Sequence, residues 1–298
     1  MRREEKNLMK NIAKKLASVL LALALLCALA AVPAQAAYGK GTKFVVLGDS
    51  IAAGEGASDP AKAYPRLIAG AKGFTLKNYA VGGHTTTDLL AILGNKPEAV
   101  QAIREADIIN LSIGGNDLLA SNVITLVLRH IFLKDSSIVD PYVEAFRGRF
   151  AQIIEQIRQL NGKALFLVQT QYNSMQGIPL VGDAYDAAIV KLNKAIVDTL
   201  ASHPGAFEIA DIYNAYKGHD GLVFRDRLHP SDSGHARIAE VLTGMIDGKP
   251  LDLTPVDIKK PNFFQQVVIF FRALYDYLSY WLSIYTPWEL LRKAFSFM

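Results

Sequence analysis

The chain has 298 residues, of which 51% are hydrophobic and 20% charged, with a formal net charge of +4. That apolar content buries a core and excludes an intrinsically disordered chain. Of the 32 Lys/Arg and 28 Asp/Glu, six and two lie in residues 1–36, which leaves 26 of each; the basic excess is confined to the start and gives no support to nucleic-acid binding.

Residues 1–36 read as an export signal. A basic start leads into LASVLLALALLCALAAV (16–32) and then PAQA, with Ala34 and Ala36 at cleavage spacing. The other reading is a retained membrane anchor, but the run is short for a span. The one cysteine, Cys27, follows Leu26, where a lipoprotein signal has a small residue. Cleavage after Ala36 leaves no thiol and no disulfide, and predicts a secreted protein, released or held at the cell surface.

The run KFVVLG (43–48) is apolar, partly β-branched and closed by glycine, which predicts a buried strand. Helical periodicity follows near 64–70 and across 87–105. Strands are expected at FTLKNY (74–79), DIINLSIG (107–114), KALFLVQT (163–170) and AFEIADI (205–211). Helices are expected at roughly 117–133, 140–160, 183–202 and 232–247. Strands and helices alternate, which predicts a parallel sheet with helices on both faces.

This unit spans 37–248. Three prolines mark 249–261 as a linker. Residues 262–298 form an aromatic-rich tail, in which Gln265, Arg272, Asp276, Ser279 and Ser283 make one narrow polar stripe on a helix of about 262–285. Thr286, Pro287 and Glu289 start a second helix, 287–297. The apolar stretches of the tail are too short to span a membrane. Two readings stand open for it: a cover or dimer face packed on the domain, or contact with a membrane surface.

In a parallel sheet, ligands bind beyond the carboxyl ends of the strands. Four polar blocks fall there: Gly48-Asp49-Ser50, NYAVGGHTTTD (78–88), GGND (114–117) and DRLHP (226–230). Together they form a candidate acyl-transfer site. Ser50 is the nucleophile and His229 its base. Asp226, three residues before His229, holds one imidazole nitrogen and leaves the other facing Ser50. The N–H of Ser50, the N–H of Gly83 and the Asn116 amide are candidate oxyanion donors. The simpler readings are helix cap for Ser50, turn residues for Gly83 and Asn116, and a surface pair for Asp226 and His229. Asp49 is expected to fix its loop by local hydrogen bonds, Asp117 to cap the following helix, His84 to be an ordinary loop residue and His235 to pack. The histidines show no metal-ligand spacing, and no G-x-S-x-G elbow, P-loop or dinucleotide fingerprint occurs.

The four blocks, in this order, resemble those of the SGNH (GDSL) hydrolase superfamily, over residues 43–247. The resemblance implies a three-layer α/β/α flavodoxin-like fold with a C-terminal helical extension, and ester hydrolysis without metal or cofactor. It also assigns Ser50, Asp226 and His229 as the triad and Gly83 and Asn116 as oxyanion donors. Gly83 is preferred to Gly82 because the family pattern places its glycine five residues after Asn78. The first block reads GDSI rather than GDSL, one branched apolar residue for another.

The function expected is a secreted serine esterase or lipase acting on a small-molecule, lipid or glycan ester. A carbohydrate O-acetyl esterase would use the same site. A non-catalytic surface-binding protein would lack a catalytic group, and all four blocks are intact. The oligomeric state stays open.

Overall fold

A computed structural model describes residues 38–119, 123–253 and 262–284. The export signal, most of the 249–261 linker and the 287–297 helix lie outside the described residues. In chain order the elements are β1 (Lys43–Gly48), α1 (Ser50–Ala53), α2 (Tyr64–Lys72), β2 (Thr75–Asn78), α3 (Thr86–Asn95), α4 (Pro97–Glu105), β3 (Ile108–Ser112), α5 (Gly115–Leu119) and α6 (Val123–Leu133). There follow α7 (Asp140–Leu160), β4 (Leu165–Gln169), α8 (Val181–Ser202), β5 (Glu208–Ala210), α9 (Ile212–Tyr216), α10 (Asp232–Ile246) and α11 (Phe263–Ile284).

The five strands are parallel and lie in the order β2-β1-β3-β4-β5. Strand residues alternate between two cores. Val45, Leu47, Ile109, Leu111, Phe166 and Val168 face one layer, built from Leu89 and Leu93 of α3, Ile103 of α4, Phe146 and Phe150 of α7 and Leu192 of α8. Phe44, Val46, Ile108 and Leu167 face the other, with Tyr64 and Ile68 of α2, Tyr216 of α9 and Ile238 and Leu242 of α10. Both faces are covered, so the strands read as continuous apolar runs. Each large side chain removed from water contributes about 1.5–3 kcal/mol. The result is a three-layer α/β/α fold with a C-terminal helix.

Two expectations need correction in detail, and a third holds with an addition. The helix expected across 87–105 is two helices. Pro97 has no N–H to donate, and Lys96 before it leaves the helical region (φ −118°, ψ 85°). Asp117 does not cap a following helix. It is buried inside α5 and accepts from the Thr86 N–H (2.9 Å) and Arg149 Nη2 (3.0 Å). His235 does more than pack: fully buried, it accepts from the Tyr64 N–H (3.4 Å) and donates from Nε2 to the Glu55 carbonyl (3.0 Å).

The tail helix α11 meets the domain through buried Ala273, an Asp276–Arg227 ion pair (3.5 Å) and the Tyr280 ring edge-on to Phe224. Its contact face therefore includes one member of the polar stripe, while Phe264, Phe271 and Tyr275 stay exposed. No described helix is long and apolar enough to cross a membrane.

Candidate active site

The chain leaves β1 towards β2 on one side and returns to β3 on the other. Loops after β1 and β3 therefore diverge and open a crevice between them. Both candidate blocks that flank this crevice carry polar side chains into it.

At the end of β1, Gly48 adopts φ +133°, and a Cβ there would lie 1.8 Å from the Ser112 carbonyl oxygen. Only glycine lets the chain turn this close to β3. Asp49 is 2% exposed and caps α1 by accepting from the Ile51 N–H (3.1 Å), as expected of it. Burial pushes its carboxyl up to about 7, against the hydrogen bond from Ile51 and the charge of His229. Ser50 is the first residue of α1. Asp49 takes the Ile51 N–H, and the Ser50 N–H has no protein acceptor among the described residues. Cap and candidate nucleophile are thus adjacent residues: Asp49 caps, and Ser50 opens the helix.

The loop after β2 is tied back to β1, with the Val81 N–H donating to the Gly48 carbonyl (3.1 Å). Asn78 Nδ2 donates to the Ala52 carbonyl (2.8 Å), which fixes α1 against this loop. Gly83 sits in the following turn at φ +80°, with no atom within 4 Å of where a Cβ would be. After β3, Gly114 (φ +116°) packs against Phe146, and Asn116 follows in α5. Asn116 Nδ2 donates to the His84 carbonyl (2.9 Å), so one amide hydrogen joins the Gly83 turn to α5 and the second is left to donate elsewhere. His84 thus acts through its carbonyl, which its side-chain chemistry gives no way to anticipate.

Ser50 and Asn116 line one small pocket of about 30 Å³, together with Ile51, Leu119, Tyr172, Tyr185, Ile189 and Leu228. Leu228 brings the fourth block to it. Tyr172 Oη donates to the Leu228 carbonyl (2.7 Å), and the Phe224 N–H donates to the His229 carbonyl (2.8 Å). Within this loop Asp226 Oδ1 accepts from the N–H groups of Leu228 (2.9 Å) and His229 (3.0 Å), while Oδ2 lies 2.6 Å from His229 Nδ1. The three-residue spacing thus lets Asp226 hold one imidazole nitrogen, but the other does not meet Ser50. Burial opposes charge on both partners. Their mutual hydrogen bond and charge, the backbone N–H groups on Asp226 and the other carboxylates near His229 together outweigh it, holding the Asp226 carboxyl below and the His229 ring above their ordinary values. Among the described residues no hydrogen bond joins Ser50 Oγ to the imidazole. Instead, His229 Nε2 lies 3.3 Å from Glu55 Oε2. Sequence reasoning missed Glu55; its one signal is an acid among small residues in AAGEG (52–56).

The fold and these blocks define an α/β ester hydrolase with its polar blocks at the β1/β3 crevice. The chain belongs to the GDSL-like lipase/acylhydrolase family, which matches residues 46–237. It is 30% identical to the uncharacterised protein YpmR of Bacillus subtilis over 65% of this chain and 77% of that one. It is 29% identical to the spore germination lipase LipC of Bacillus licheniformis, over 67% and 94% of the two chains. Among solved structures, the lipase Lip_vut3 from a goat rumen metagenome superposes with a TM-score of 0.55 at 25% identity, covering 72% of this chain and all of that one. The protein is an ester hydrolase of this family.

Proposed function

We propose that residues 37–248 form a secreted serine esterase in which Ser50 is the nucleophile, His229 the base and Asp226 its partner. The observation that carries this reading is the Asp226–His229 pair at 2.6 Å, on a loop that brings Leu228 into the pocket lined by Ser50 and Asn116. Ser50 Oγ attacks the acyl carbon as His229 Nε2 takes its proton. The tetrahedral oxyanion receives hydrogen bonds from the Ser50 N–H, the Gly83 N–H and the free hydrogen of Asn116 Nδ2. Asp226 keeps the imidazole in the Nδ1–H form and stabilises the imidazolium. Collapse expels the alcohol, which takes the proton from His229. Water, deprotonated by the same ring, then attacks the acyl-enzyme, releases the acid and restores Ser50.

Two expected results follow. Asn116→Ala should lower kcat by about 10²–10³-fold with a smaller change in KM, since it removes a donor used most in the transition state. The base must be neutral, and its partners hold His229 above the ordinary histidine value of about 6.5. Log kcat/KM should therefore fall as acid is added through a midpoint above that value, measured across about pH 5 to 9. A flat profile would exclude His229 as the base.

The small size of the pocket beside Ser50, about 30 Å³, supports a preference for short acyl groups. That size also supports a second reading, removal of O-acetyl groups from carbohydrate. Hydrolysis of a chain-length series of acyl esters, run beside acetylated sugars, tests both. An esterase turns over acetyl and butyryl esters best. Faster turnover of acetylated sugars than of simple esters selects the second reading. No turnover of any ester refutes the assignment of Ser50.

A further inference from the structure

Glu55 is built into its place. Its N–H donates to the Ser50 carbonyl (3.0 Å), and its carbonyl accepts from buried His235 Nε2 (3.0 Å), so both ends of its peptide are held. The next residue, Gly56, lies so close to the catalytic loop that a Cβ would come 2.2 Å from the Pro230 carbonyl oxygen and 2.8 Å from His229 Cβ. From this anchored backbone the side chain reaches across the front of the site. One carboxylate oxygen, Oε1, lies over Gly82, where a Cβ would be 1.9 Å away, and the other, Oε2, stands 3.3 Å from His229 Nε2. The Nε2 position is the one from which the ring must take the Ser50 proton. His229 thus lies between two carboxylates, hydrogen-bonded to Asp226 at Nδ1 and ion-paired with Glu55 at Nε2.

We propose that Glu55 is a positioning residue that holds Nε2 of His229 in the free enzyme and must be displaced by Ser50 and substrate before the ring acts as a base. The inference rests on His229 being that base. Its consequence is a handle on the pH response. A carboxylate at Nε2 favours the protonated ring and adds to the effect of Asp226. Among the other groups facing the ring, Asp49 acts in the same direction as Glu55 but less strongly, and His235 does not add to it. Asp49, behind Ser50, is buried with its carboxyl raised to about 7; burial holds His235, on α10, below its usual value. On the far side, Asp232 is paired with Lys62 (2.6 Å), and Arg227 of the same loop is paired with Asp276 of α11. Half of the Glu55 side chain is exposed, so solvent screens the pair, and its effect lies below that of a buried one.

Two substitutions reach the same contact by separate routes. Glu55→Gln removes the charge and keeps the shape. Gly82→Ala places a methyl where Oε1 lies and pushes aside the far end of a flexible side chain, at a position without positive φ. The His229 ring signals are followed by NMR against pH in the free wild-type protein and in both variants, and kcat/KM for a short acyl ester is measured over the same range. In each variant the His229 midpoint should fall by about 0.5–1 unit. Relative to its own alkaline plateau, kcat/KM near pH 5.5 should then rise by about threefold to tenfold. Midpoints that coincide with wild type in both variants would overturn the proposal, as would an unchanged acid limb in an active variant. A lowered NMR midpoint in proteins that hydrolyse no ester at all would keep the Glu55 contact and refute the catalytic reading of His229 instead. If Glu55→Gln does not fold, Gly82→Ala carries the test alone.

Discussion

Ser50→Ala is expected to lower kcat on short acyl esters by a factor on the order of 10⁶ while leaving the fold in place. Without the hydroxyl there is no acyl-enzyme, and water must attack directly at a site shaped for a different first step. The residual rate comes from oxyanion donors that the substitution leaves intact: the backbone N–H of residue 50, the Gly83 N–H and Asn116. The fold should tolerate the change for three reasons. Ser50 Oγ makes no hydrogen bond to the protein among the described residues. Asp49, not Ser50, caps α1. Alanine is the best helix former. The measurement is steady-state kinetics beside thermal unfolding. Turnover within tenfold of wild type from a clean preparation would mean that another group starts the reaction.

Gly48→Ala should have the largest effect on stability, a loss of about 3–5 kcal/mol, from placing a side chain at strained positive φ and from overpacking. At φ +133° the new Cβ would lie 1.8 Å from the Ser112 carbonyl oxygen, a backbone atom that accepts from the Asp49 N–H (3.0 Å) and cannot withdraw alone. β1 and β3 would have to separate where the crevice forms, so activity should fall with stability. Gly83→Ala is the control. Its φ is also positive, at +80°, but nothing lies within 4 Å of the new methyl, so it should cost only about 1 kcal/mol. Denaturant unfolding of the two variants measures the contrast. Equal losses would show that conformation, rather than the approach of β3, dominates at Gly48.

Much of this architecture is legible in the residues because buried parallel strands are continuous apolar runs. KFVVLG is strand from its first residue to its last, and the helix expected over 140–160 is observed as Asp140–Leu160. The candidate site was legible for a related reason. Its polar blocks interrupt apolar runs at strand ends, where the fold does not require them. Features that escaped depend on contacts distant in sequence. Periodicity runs unbroken through Lys96-Pro97, although proline geometry ends a helix there. Asp117 has the sequence context of a cap, yet its carboxylate is taken by Thr86 and by Arg149 of α7. Glu55 meets His229 only because Gly56 lets two loops 174 residues apart close on each other, and no local pattern records that approach. The tail helix shows the same limit. Its polar stripe is plain in the residues, but the pairing of Asp276 with Arg227 depends on where the helix lies against the domain.

The central claim is that Ser50 attacks the substrate, and covalent capture tests it most directly. The protein is incubated with an organophosphonate that mimics a short acyl ester, activity is followed with time, and the product is digested and mapped by mass spectrometry. One adduct per chain is expected, on Ser50, with activity lost in proportion to labelling and with no adduct in Ser50→Ala. Inactivation with the label on another residue, or full labelling of Ser50 with activity retained, would contradict the assignment.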